Sequence, residues 1–127
     1  MAHWRTYAVA ITTDGSGDAS GKLPADEAIT GEIVNILIVP SGDPWTNGGA
    51  TLTITTERYS QAVLTYASIP TNAGTVPRAP IQPAHEVGTG AAIASMRRPI
   101  ALTNDRLSYT VSGGGANKTC TVVLVVA

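Results

Sequence analysis

The chain has 127 residues, the length of one domain, and 43% of them are hydrophobic. Only 13% are charged and the formal net charge is −1, which argues against both a disordered tail and a basic nucleic-acid-binding patch. Globular domains usually carry about 25% charged residues. We therefore expect other subunits to cover part of this surface, and we expect no nucleic acid among its partners.

The first predicted strand is "RTYAVAIT", in which Tyr7, Val9 and Ile11 alternate with smaller residues. A period of two indicates an antiparallel strand with one buried face. The surrounding segment "MAHWRTYAVAITTDG" lacks the continuous apolar run of a signal peptide. We therefore expect synthesis in the cytoplasm and no membrane partner.

The segment "TTDGSGDASG" raises the question of a metal or catalytic site. Its Asp and Ser residues alternate as the ligands of an EF-hand calcium loop do, but alanines occupy the sixth and twelfth positions, where that loop needs glycine and a bidentate acid. An acid–base pair of Asp14 and Asp18 is disfavoured because the loop should be wet. We predict an interstrand turn in which these side chains bond to local backbone, with no metal or cofactor.

Two runs, "GEIVNILIVP" and "CTVVLVVA", are apolar on both faces. One face of each strand packs on the core, and the other must meet a second layer or a neighbouring subunit. The closing run is too short to span a bilayer. Its lone Cys120 cannot form an internal disulfide, and we predict a buried small hydrophobic residue.

The tryptophan of "PSGDPWTNGG", Trp45, lies in a turn-rich loop. An exposed tryptophan beside polar residues often marks a contact or sugar-binding surface. Folding of the indole back over the core is the alternative, and the sequence leaves both open.

The runs "TLTITTE" and "RLSYTVS" alternate cleanly, and "YTVSGGGANKTCTVVLVV" predicts a glycine-turned hairpin. With dense turn signals between the runs, the chain predicts a single domain over 1–127. The predicted fold class is all-β, an antiparallel β-sandwich, a jelly roll being one such arrangement.

Residues 67–92 carry four prolines and no clean period, which predicts a Pro-rich extended loop or an edge-hugging segment. Loops of this length are usually functional or packed against something. Its His85 is interpreted as a loop residue bonded to local backbone, because no nucleophile turn such as G-x-S-x-G accompanies it. Beyond it, "MRRP" places Arg97 and Arg98 on opposite faces of a strand, one of them able to meet a carboxylate across an interface.

Three patches resemble a group of small virion proteins encoded near the head genes of tailed bacteriophages. "YAVAITTDGSGDAS" resembles their opening strand and "TTD-x-x-G-(D/N)-A" turn, and "VPRAPIQPAHEVGTGAA" resembles their Pro/Arg/Gln–Thr–His stretch. "IALTNDRLSYTVSGGGANKTCTVVLVV" is similar to their "L-x-(N/D)-(E/D)-R" strand, glycine hairpin and closing strand. The chain departs from that pattern in the elaborated loop "SGDPWTNGGA" and at Cys120.

The resemblance implies a non-enzymatic capsid decoration (cement) protein in the virion, bound to the major capsid protein and self-associated as a homotrimer, without catalytic residues. The residues expected at intersubunit or capsid contacts are Trp45, Pro77, Arg78, Pro80, Gln82, Pro83, His85, Arg97 and Arg98. A head–tail connector or tail component is the first alternative. A carbohydrate-binding module that uses Trp45 is the second.

Overall fold

The computed structural model describes residues 4–24, 26–85 and 92–127, and within 81–98 it describes the backbone alone. In this part of the chain all regular structure is extended, as eleven strands: β1 Arg5–Thr12, β2 Ala19–Leu23, β3 Ile29–Pro40, β4 Thr51–Thr56, β5 Ala62–Tyr66, β6 Val76–Arg78, β7 Ile81–His85, β8 Ala92–Pro99, β9 Ala101–Asp105, β10 Leu107–Ser112 and β11 Thr119–Val126. None of these described residues forms a helix that could cross a membrane.

Two antiparallel sheets form the body of the molecule. The first sheet has the strand order β1-β11-β3-β6, and β9 pairs with the beginning of the long strand β3. The second sheet has the order β2-β10-β4-β5. The predicted all-β class and the antiparallel sandwich are therefore confirmed.

The path of the chain alternates between the two main sheets except at the step from β4 to β5, which are neighbours in the second sheet. The strands β1, β3, β6 and β11 belong to the first sheet, and β2, β4, β5 and β10 to the second. With β7, β8 and β9 set aside, the remaining eight strands follow the orders 1-8-3-6 and 2-7-4-5. Four connections then meet at one end of the sandwich: residues 13–18, 41–50, 67–75 and 113–118.

The inward faces of the two sheets enclose one continuous apolar core. Aliphatic residues dominate it, and the fully buried side chains include Ile11, Leu23, Ile33, Ile36, Ile38, Leu52, Ile54, Leu107 and Leu124. Cys120 is buried among them, as predicted, and desolvation raises the pKa of its thiol. The alternation of buried and half-buried residues along β4 and β11 reproduces the period of two in the sequence.

The Pro-rich segment 67–92 is more regular than the predicted loop. The short strand β6 pairs with the edge of β3 through Ile36, Leu37 and Ile38, which agrees with the edge-hugging alternative. Strand β7 pairs with β8 in a separate two-stranded sheet. A proline can end a ladder or occupy an edge without breaking extended backbone, and this is why a proline-rich stretch still forms strands here.

Candidate assembly interface

The loop at Asp14 is a self-contained turn. The Asp14 carboxylate accepts hydrogen bonds from the backbone N–H of Ser16 (2.8 Å) and of Asp18 (3.1 Å), and Gly17 takes a φ of 85°. The donors at Asp18 and Ser16 hold the pKa of the Asp14 carboxyl below its usual value. The predicted interstrand turn is confirmed, since the carboxylate bonds to local backbone.

The four connections at this end, which we call the loop end (13–18, 41–50, 67–75 and 113–118), bond to one another through their backbones. Gly114 N donates to Gly17 O (3.0 Å), and Thr46 N donates to Gly114 O (2.9 Å). Gly48 N donates to Ile69 O (2.9 Å), which ties in the segment before β6. These backbone hydrogen bonds hold the four loops of the loop end together.

Trp45 is buried within the loop end, with none of its surface exposed. Its indole Nε1–H donates to Ile11 O (3.1 Å), and its own carbonyl accepts from Thr71 Oγ1 (2.6 Å). Of the two alternatives left open by the sequence, packing over the core is the one observed. The prediction that Trp45 is a contact residue is therefore corrected, because a buried indole offers no surface to a sugar or a subunit.

The predicted contact residues of the Pro-rich segment are divided by the structure. Pro77 and Arg78 are exposed on β6, whereas Pro80 is buried and cannot touch a partner in this conformation. The Arg78 guanidinium lies 4.2 Å from the centroid of the Tyr66 ring and donates to the Tyr66 hydroxyl (2.7 Å). Arg78 therefore already has an aromatic partner within its own chain.

The remaining predicted contacts lie on the β7–β8 sheet, where the backbone register pairs Gln82 with Arg98 and Pro83 with Arg97. His85 ends β7 opposite Ala92. The side chains of these residues lie outside the described part of the molecule, so their role as contacts stays a prediction.

Over the part of the first sheet formed by β1, β11, β6 and the second half of β3, the outward-pointing surface carries no charged side chain, whereas Glu32 is exposed on the first half of β3. Its outward residues follow from the register: Thr6, Ala8, Ala10 and Thr12 of β1, Thr119, Thr121, Val123 and Val125 of β11, Asn35, Leu37 and Val39 of β3, and Pro77 of β6. All are exposed or only partly buried. We call this set the apolar face, because its centre is a row of Ala8, Val123, Leu37 and Pro77.

The second sheet presents a different surface. Its outward residues are almost all hydroxylated: Ser20, Thr51, Thr53, Thr55, Thr65, Ser108, Thr110 and Ser112. The one cation among them, Lys22, donates from Nζ to Ser108 Oγ (2.8 Å). Hydroxyl groups remain well solvated when exposed, so this face needs no partner, whereas the apolar face leaves aliphatic surface in water.

Charged residues gather at the opposite end of the sandwich, and they stabilise turns. The buried carboxylate of Asp105 accepts from the backbone N–H of Arg58 (3.0 Å) and of Arg106 (2.8 Å). Glu57 pairs with Arg106, whose hydrogen bond lowers the pKa of the Glu57 carboxyl. Among the described residues, no group of three His, Cys, Asp or Glu side chains could hold a metal ion.

The sequence predicted one half of the apolar face and missed the other. The two-sided runs of β3 and β11 indicated a surface that needs a partner, and the structure places these strands side by side. The contribution of β1 and Pro77 was missed, because small residues such as Ala8 and Ala10 carry little hydropathy on their own. The pairing of Ala8 with Val123 is what adds them to the face.

Comparison with known proteins adds a distant likeness. No protein-family model matches the chain, and no curated protein matches it. A solved structure, the crystal structure of FlhE, is 11% identical over 98% of both chains with a TM-score of 0.44. A likeness at this level carries no inference about function.

Proposed function

We propose that the chain is a non-enzymatic structural protein of a bacteriophage particle, a capsid decoration protein that binds the major capsid protein through the apolar face. The observation that carries the proposal is the absence of charge from that face, centred on Val123 and Leu37. Burying such a surface against another protein releases water from aliphatic groups and leaves no charge buried without a partner.

The architecture supports a building block more than a catalyst. The described Asp14, Asp105 and Glu57 carboxylates are each engaged in holding a turn or an ion pair. The alternating path of the chain between two sheets is compatible with a jelly roll, an architecture common in viral capsid proteins and in lectins. The lectin alternative relied on an exposed Trp45, and that indole is buried.

A head–tail connector or tail component of the same particle is the second candidate, because the apolar face suits any subunit in a shell or a ring. Copy number separates the two. Quantitative mass spectrometry of purified particles should give a count comparable with that of the major capsid protein. A count matching a single ring would favour the connector, and absence from the particle would overturn the virion proposal.

A further inference from the structure

The strand β1 is the longest of the strands that end the two main sheets. It ends the first sheet, pairs with β11 alone, and runs for eight residues with no proline and with Arg5 as its one charge. An exposed, uncharged edge of this kind is a template for pairing with another chain.

The other three end strands of the two main sheets, β6, β5 and β2, carry features that discourage such pairing. Strand β6 has three residues and contains Pro77, and β5 has five residues with a register shift against β4. Strand β2 has five residues, carries Lys22 and is followed directly by Pro24. Short length, proline, bulges and lysine are the usual ways in which proteins blunt an edge, and β1 has none of them.

The hydrogen-bond pattern between β1 and β11 shows which backbone groups of β1 are left unpaired. Thr13 N donates to Lys118 O (2.9 Å), while Thr119 N donates away from β1 to Asp43 O (2.9 Å). Hydrogen-bonded pairs alternate along an antiparallel ladder. The odd-numbered residues of β1 therefore bond to β11, and the even-numbered residues, Thr6, Ala8, Ala10 and Thr12, point their N–H and C=O groups away from the sheet.

Open space runs along this edge between β1 and the second sheet. A groove of about 840 Å³ adjoins Ala10 and Thr12 and is bounded by Ala19 and Ser20 of β2. A second groove of about 490 Å³ adjoins Ala8 and Val9 near Pro24. A further strand needs a separation of about 4.8 Å from its neighbour, so β1 has both the unpaired groups and the room to accept one.

We propose that β1 pairs antiparallel with β1 of a second copy about a two-fold axis through Val9, so that the first sheets of two copies become one. The central register would pair residues of the same character: Thr6 with Thr12, Ala8 with Ala10, Tyr7 with Ile11, and Val9 with Val9. The unpaired N–H and C=O groups of the even-numbered residues would then hydrogen-bond to those of the other copy. Arg5 falls opposite Thr13 of the other copy, so the two Arg5 side chains do not face one another.

The symmetry of β1 favours a second copy of the chain as the partner strand. A two-fold contact uses the same surface on both subunits, and the sequence of β1 is nearly symmetrical in character about Val9. The pairing also continues the apolar face across both copies, since Ala8 and Ala10 belong to that face. The inference goes beyond the proposed function, which fixes no oligomeric state, and it predicts a dimer in place of the homotrimer that the resemblance implies.

Disulfide trapping tests the register. In a background of Cys120→Ala, Val9→Cys should form a covalent dimer on mild oxidation, because opposed residues of a non-hydrogen-bonded pair lie about 4.5 Å apart at Cα. Thr6→Cys is the matched control, since its copies would lie roughly 20 Å apart at about 3.4 Å per residue. Equal cross-linking of both variants, or of neither, would overturn the register.

Sedimentation of the full chain tests the contact without any new cysteine. The wild-type protein should sediment as a dimer, and Ala10→Pro should sediment as a monomer that stays folded, because the ladder with β11 leaves the Ala10 N–H without a partner among the described residues. Ala10→Thr, which keeps that N–H, should remain a dimer. A wild-type monomer or trimer, or a dimer that survives Ala10→Pro, would overturn the proposal.

The two proposals fail separately. Loss of dimerisation in Ala10→Pro with particle binding intact upholds the β1 contact and leaves the capsid proposal standing. A wild-type dimer absent from purified particles upholds the β1 contact and removes the capsid proposal.

Discussion

The loop end and the apolar face differ in whether their chemical groups find partners within the chain. At the loop end, aspartates, hydroxyls, glycines and a tryptophan bond to one another, as in the hydrogen bond from Gly114 N to Gly17 O. On the apolar face, Val123 and Leu37 meet on paired strands and remain partly exposed. The residues that resemble a site hold the fold together, and the aliphatic strands form the surface for which we propose a partner.

The difference leads to a simple expectation. Substitutions at the loop end should change the free energy of unfolding and leave association unchanged in the folded protein. Substitutions on the apolar face should change association and leave unfolding nearly unchanged.

Trp45→Ala should have the largest effect, a loss of about 3–5 kcal/mol in the free energy of unfolding, because it empties a fully buried site and removes the hydrogen bond to Ile11 O. Urea denaturation measures it. Trp45→Phe, which keeps most of the volume, should lose less. A Trp45→Ala variant as stable as the wild type would contradict the buried position.

Val123→Asp should reduce binding to particles at least tenfold, because it places a charge at the centre of the apolar face, whereas the β1 contact with a second copy should persist. Thr53→Asp is the matched control, on a central strand of the second sheet and facing outward from the hydroxylated surface. Co-sedimentation with shells and analytical ultracentrifugation measure both variants. Equal losses would show that the faces do not differ in function.

Gly113→Ala should cost about 1–3 kcal/mol, because Gly113 has a φ of 66° and a Cβ there would lie 2.5 Å from Gly49 O. Gly42→Ala is the control, since a Cβ at Gly42 meets no atom within 4 Å. Thermal unfolding of the two variants gives the comparison. Similar melting temperatures would argue against tight contact between these loops.

Asp14→Asn should have the smallest effect, and that effect should depend on pH. The folded pKa of Asp14 lies below its usual value of 3.8, so its carboxylate stabilises the fold above that pH and loses the contribution as pH falls through the folded pKa. The variant should be less stable than the wild type at neutral pH and equal to it in strong acid. Unfolding curves across this range measure it, and a pH-independent difference would contradict the turn.

Local patterns in the sequence were enough to predict β1, β3, β4, β10 and β11 and the turn at Asp14, but not the strands of the Pro-rich segment. The period of two in "TLTITTE" and the two-sided runs of β3 and β11 report burial that each strand experiences by itself. The position of Trp45 was left open, because its burial depends on the Ile11 carbonyl, 34 residues away. The open edge of β1 was not predicted, since pairing between distant strands decides which strand ends a sheet.

A cryo-electron microscopy reconstruction of purified particles would test the central claim most directly, by showing which surface of this protein is covered. We expect Val123, Leu37 and Val39 to lie against the shell or another subunit, with the hydroxylated second sheet turned toward solvent. A reconstruction with the second sheet buried and the apolar face in solvent would contradict the account.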